Sequence, residues 1–148
     1  MNQNTTTLSK RVAPGKSGAS GWREETARDL ADAGRRIVSA LESLSGEPSD
    51  EQVRSVWSAY SGIEKSIAFI KFDLDEENPG RFIKLRSYAV PDERQALQFA
   101  LRNLTRGADD FALGDFHQSL KELREARNYL RALLREKRLR RARMARSP

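Results

Sequence analysis

The sequence predicts an all-α fold: an antiparallel four-helix bundle built from two helical hairpins, with a disordered N-terminal tail and a basic C-terminal helical extension. Three observations predict it. Apolar residues recur at alternating spacings of three and four in four separate windows, which is the signature of one buried helix face. Strong breakers separate the windows: Gly46 with Pro48, Asn78-Pro79-Gly80, and Gly114. Charged residues make up 32% of the chain and hydrophobic ones 38%, a polar balance that suits helices burying only a stripe each.

The chain of 148 residues is read as one packed domain over 21–134, preceded by a tail over 1–20 and followed by an arm over 135–148. Residues 1–20 are rich in Asn, Thr, Ser, Gly and Lys and lack any hydrophobic period, so disorder is expected there. Gly15-Lys16-Ser17 resembles the end of a phosphate-binding loop. The position five earlier, where that loop needs glycine, is Lys10, and no buried strand precedes it.

The first helix is expected from Trp22 to Ser45, with a seam of Ala27, Leu30, Gly34, Ile37, Leu41 and Leu44, widened by Val38. Gly34 on that seam implies a close helix crossing, since glycine otherwise costs a helix about 1 kcal/mol against alanine. The second helix opens with Ser49-Asp50-Glu51-Gln52, a capping-box pattern. Its seam is Val53, Val56, Tyr60, Ile63, Ile67, Ile70 and Leu74, and Trp57 and Phe69 broaden the apolar face. It is therefore expected to be the central helix.

Residues 81–90 are too apolar for a free loop and read as a packed irregular linker. The third helix is expected to begin at Pro91, with Asp92 and Glu93 at its positive end. Leu97, Leu101, Leu104, Ala108 and Phe111 form its seam. The fourth starts at Asp115, with Gln118 completing a second capping box, and packs through Phe116, Ser119, Leu123, Ala126, Leu130 and Leu133. Its packed face is expected to stop near Leu134. The short links at 46–48 and 112–115 make helices one and two, and three and four, adjacent hairpins.

Gly114-Asp115-Phe116, followed by Ser119-Leu120, Leu123 and Ala126, resembles the second half of a tetratricopeptide hairpin, over about 30 residues. No 34-residue period recurs, so the resemblance implies a tight hairpin and not a solenoid.

The chemistry is sparse. With no cysteine, disulfides and thiolate metal sites are excluded. The single histidine, His117, has no arginine at the spacing a helical nuclease would want, and no ligand set for zinc. Asp73, Asp75 and Glu77 alternate like a calcium loop, but Asn78 and Lys84 stand where Gly and Glu are needed. Asp109 and Asp110 beside Asp115 are weighed as a carboxylate pair and read as a polar face, because neighbours on a helix diverge by about 100°. No nucleophile–base pair is evident. No enzyme activity, cofactor, metal or small-molecule substrate is expected. No run reaches the length of a membrane span, so no membrane partner is expected, and a cytoplasmic location follows by default.

The informative feature is charge. The chain carries 27 Lys+Arg against 21 Asp+Glu, a formal net charge of +6. Residues 135–148 hold seven of the cations (Arg135, Lys137, Arg138, Arg140, Arg141, Arg143, Arg146) and one acid, Glu136. The remaining 20 basic and 20 acidic residues cancel, so the whole excess sits in the arm. The favoured reading is sequence-independent contact with RNA or DNA phosphates, since no aromatic or amide group is interleaved in the arm to read bases. Docking to an acidic protein and a solvated helix end that only aids solubility are the competing readings. The alternative function is a protein–protein adaptor or structural subunit, including a homodimer joined through the second helix. Exposure of Trp57 and Phe69 would favour the adaptor.

Overall fold

The computed structural model describes residues 19–45, 50–74 and 92–146, with side chains over 21–44, 50–74 and 92–138. Residues 1–18 of the expected tail, the Ser49 cap, Pro91, the 81–90 linker, Asp75, Glu77 and the side chains of Arg140, Arg141, Arg143 and Arg146 lie outside these ranges, whereas Ala19 and Ser20, placed in the tail by the sequence, are helical. The described residues are all-α. Helix α1 spans Ala19–Glu42 and ends in a 3-10 turn, Ser43–Ser45. Helix α2 spans Asp50–Asp73, α3 Glu93–Ala112 and α4 Phe116–Arg146.

The helices form a bundle in which each packs chiefly on two others, in the cyclic order α1–α2–α4–α3. No helix is therefore more central than the rest, and α2 does not hold the privileged place its long seam suggested. Lys65 of α2 bonds Glu25 near the start of α1 at 2.8 Å. Gln52, at the start of α2, is buried and donates to the Ala40 carbonyl near the end of α1. Arg127 of α4 pairs with Glu64 of α2 at 3.2 Å.

The core is built from Leu30, Ile37, Val56, Ile63, Ile70, Leu97, Leu104, Leu120, Leu123 and Leu130, with alanines between them. Leu30 and Ile37 of the expected α1 seam are buried, but at three other positions the buried residue is the one before it, Thr26, Ala33 and Ala40 in place of Ala27, Gly34 and Leu41. Thr26, Leu30, Ala33, Ile37 and Ala40 are buried, whereas Ala27 is exposed. In α2, Ala59 and Ser66 take the centre and Tyr60 moves to the margin. Small residues at these places let the backbones approach, and the larger side chains wrap the flanks.

The glycine at the close crossing is Gly107, not Gly34. A Cβ on Gly34 would meet only Leu104 Cδ2, at an ordinary 3.9 Å. A Cβ on Gly107 would stand 2.7 Å from Leu123 Cδ2 and 2.9 Å from its Cγ. At the same crossing the buried Ser119 hydroxyl donates to the Gly107 carbonyl at 2.6 Å.

The turn between α3 and α4 is determined by its sequence. Gly114 adopts φ +83, its N–H donates to the Phe111 carbonyl, and the Asp115 N–H donates to the Asp110 carbonyl. This is the Schellman arrangement, which places glycine at its left-handed position. Asp115 then caps α4 by accepting from the Gln118 N–H at 3.2 Å. The expected reciprocal half of that box is missing, because the Asp115 N–H is already used. Asp92 caps α3 in the same way, accepting from the Gln95 N–H at 2.7 Å. The third helix thus begins after Asp92, not at Pro91.

One end of the bundle is closed by four aromatic rings, one from each helix. Trp22 packs on Phe69 at 6.2 Å, Phe111 at 5.8 Å and Phe116 at 5.9 Å. Arg23 lies over the Phe116 ring at 5.1 Å. No described helix is long and apolar enough to cross a membrane.

Candidate nucleic-acid interface

The sequence of α4 past Leu134 is Arg, Lys, Glu, Leu, Ala and Met, all strong helix formers, and the helix continues without a break to Arg146. It has 31 residues against the 20 of α3, so its C-terminal part runs past the start of its partner.

The basic residues of this part are not equivalent. Lys137 occupies the next seam position after Leu133. Its ammonium stands 2.6 Å from Glu93 Oε1, and the two side chains are only 11% and 22% exposed. Glu93 Oε1 is buried and makes no aligned hydrogen bond, so this is chiefly a charge contact. It fastens α4 to the first turn of α3, and the packed face reaches Lys137 instead of stopping at Leu134. Glu136 beside it is half-buried.

Arg135 and Arg138 are exposed, and neither makes an ion pair among the described residues. Arg140, Arg141, Arg143 and Arg146 follow on the same helix. The structure therefore separates Lys137, a cation engaged in packing, from Arg135 and Arg138, cations facing solvent.

Sequence reasoning missed Arg131. It is exposed and lies on the stretch of α4 assigned to the bundle. Arg124, Arg127, Arg131, Arg135 and Arg138 fall within about 80° on a helix, so the arm's face continues upward along α4. Their spacing of 3, 4, 4 and 3 was the available signal. Arg127 on this face is taken by Glu64.

The expected acidic and histidine sites resolve simply. His117 and Asp109 are exposed. Asp110 faces Glu122 of α4 and not Asp109. The Glu122 carboxyl is pushed up to about 7, first by burial and then by the hydrogen bond and charge of Asp110, against the pull of Arg106. Glu122 Oε1 is buried and makes no aligned hydrogen bond, although the Gln118 side chain also pulls the carboxyl down. Two ionised carboxylates offer no donor to each other, so the pair is compatible with one shared proton. Among the described residues there is no group of three or more His, Cys, Asp or Glu that could hold a metal ion.

No protein-family model matches this chain, the tetratricopeptide repeat included, and neither a curated protein nor a solved structure is significantly similar to it.

Proposed function

We propose that this chain is a non-enzymatic cytoplasmic binding module: an antiparallel bundle of two helical hairpins whose Arg-rich C-terminal helix contacts nucleic-acid phosphates. The observation that carries the reading is the segregation of charge. The whole formal excess of +6 lies in residues 135–148, on a single helix that outruns its packing partner. Arg135 and Arg138 face solvent, and Arg140, Arg141, Arg143 and Arg146 extend the series. Closely spaced arginines on one helix suit a phosphate backbone, and the sequence of the arm has too few apolar residues for a bilayer-binding face.

The test is a salt series with the full chain and labelled RNA and DNA. Neutralising about 4–6 phosphates gives a slope of log K against log salt of roughly −3 to −5. Replacing Arg135, Arg138, Arg140, Arg141, Arg143 and Arg146 by Gln should abolish both affinity and slope while leaving the Lys137–Glu93 contact in place. Absence of binding at low salt by the unaltered chain would reject the reading.

A protein–protein adaptor is the second reading, and one observation favours it. Trp57 is 57% exposed. Phe69, the other residue that would have supported an adaptor, is half-buried against Trp22.

A further inference from the structure

Trp57 is held firmly and yet left open. Its ring is stacked on Tyr60 at 5.5 Å and 27°, which covers one face of the indole, while 57% of the residue stays exposed. A tryptophan supported from beneath and bare above is a preformed shelf for another flat ring.

Its surroundings are cationic. Tyr60 lies at the groove between α2 and α4. Burial raises the pKa of its hydroxyl, with the Glu64 charge adding to the shift, and the charges of Arg131 and Arg127 oppose it. Both guanidinium groups therefore lie within electrostatic reach of the Tyr60 hydroxyl, one helical turn from Trp57. Glu64, the acid on this side, is bound by Arg127 at 3.2 Å. Arg131 is exposed and makes no ion pair among the described residues. From Arg131 the same helix face leads to Arg135 and Arg138, a run of about 10 Å at 1.5 Å per residue.

Resting on the nucleic-acid reading above, we infer that the Trp57–Tyr60 stack is a base-stacking platform for single-stranded nucleic acid, with Arg131, Arg135 and Arg138 holding the adjoining phosphates. An aromatic shelf beside a cationic track is how sequence-tolerant single-strand binders work, because every base has a π-face. A duplex keeps its bases stacked on one another and offers no such face. A second copy of this chain fits less well. A symmetric pair across Trp57 would bring Arg131 and Arg135 of one copy towards the same residues of the other, and like charges across an interface are repulsive.

The experiment measures binding of the full chain to labelled oligo(dT), oligo(U) and a duplex of equal length. Trp57→Ala should weaken single-strand affinity roughly 5- to 150-fold. It should leave duplex affinity and the salt slope unchanged, and Trp57→Phe should recover part of the loss. Arg131→Gln should flatten the single-strand slope by about 0.7. In a Trp22→Phe background, Trp57 fluorescence should be quenched by the oligonucleotide.

Three results overturn the inference. Trp57→Ala could affect single strand and duplex equally, or neither. The chain could self-associate through a face that Trp57→Ala disrupts. Trp57→Ala could lower the Tm by several degrees, meaning that the chain itself covers the ring. If binding and its salt slope vanish with the arm's arginines but ignore Trp57, only this inference fails. If the unaltered chain binds nothing, the reading beneath it fails too.

Discussion

Replacing Gly107 by alanine adds one methyl group at the tightest point of the α3–α4 crossing. That methyl would stand 2.7 Å from Leu123 Cδ2, 2.9 Å from Leu123 Cγ and 3.4 Å from the Ser119 carbonyl oxygen. Carbon atoms in contact prefer about 3.5–4.0 Å, so roughly an ångström must be found. Leu123 is fully buried and cannot swing into solvent. Either it leaves its rotamer or the helices part, and parting them stretches the Ser119–Gly107 hydrogen bond. Overpacking of this kind costs about 1–3 kcal/mol. The better helix propensity of alanine returns about 1 kcal/mol. A net loss of up to about 2 kcal/mol is expected, lowering the Tm by up to about 8 °C in a chain of this size. Thermal and urea unfolding followed by circular dichroism measure it. Gly34→Ala is the control, because its methyl meets only Leu104 Cδ2 at 3.9 Å. It should gain up to about 1 kcal/mol. Adding Leu123→Ala to Gly107→Ala should cost less than the sum of the single changes, because the smaller side chain removes the clash. If Gly107→Ala is as stable as Gly34→Ala, or the double change is additive, the close crossing is not where it is placed here.

Two further outcomes follow from the same helices. The Glu122 carboxyl is raised from 4.5 to about 7 by burial and by Asp110, so the fold favours its protonated form. Its stabilising contribution is complete below about pH 4.5 and is lost as the pH rises through about 7. Glu122→Gln keeps a donor at every pH, so the Tm of the wild-type chain relative to this variant should fall between pH 5 and 8. A constant difference across that range would show that no shared proton is present. Lys137→Met removes one partner of a largely buried ion pair and leaves Glu93 uncompensated, at a cost of about 1–3 kcal/mol. It should lower the Tm and leave the salt slope of nucleic-acid binding unaltered, whereas Arg138→Gln should do the reverse.

The four helices were legible because leucine and isoleucine at three-and-four spacing mark a face whatever that face packs against. On α4 the whole expected stripe, from Ser119 to Leu133, is buried, but the small residues at the centre of the α1 and α2 faces were not legible. Thr26, Ala33, Ala59 and Ser66 carry little hydrophobic signal, yet they are as buried as the leucines and isoleucines beside them, because close helices exclude larger groups. Around Leu30 and Ile37, which were placed correctly, the seam therefore appeared one residue out on α1, with Ala27 taken for Thr26 and Gly34 for Ala33. Gly34 looked like the crossing glycine because it lay on that misplaced seam. Gly107 was passed over because glycine counts as polar in a periodicity and its fitting partner is Leu123 on another helix. The basic arm was legible from composition alone, but the role of Lys137 was not, since its partner Glu93 is far away in sequence. The approach of Arg131 to Tyr60, within electrostatic reach, was likewise beyond sequence reading. It depends on which helices are neighbours, and the order α1–α2–α4–α3 is a property of packing and not of spacing.

The ring cluster around Trp22 makes the molecule unequal from end to end. Four helices meet there through a single side chain, so no helix can leave that end without unstacking an aromatic contact. Among the described residues, the opposite end is held by the Lys137–Glu93 charge contact and the Gln52–Ala40 hydrogen bond beside the buried Ala40, Val56, Leu97 and Leu133. Partial opening starts where the fewest apolar contacts must be broken. The aromatic end, where one ring touches a neighbour on each of the other three helices, is thus an anchor that keeps the four helices in register.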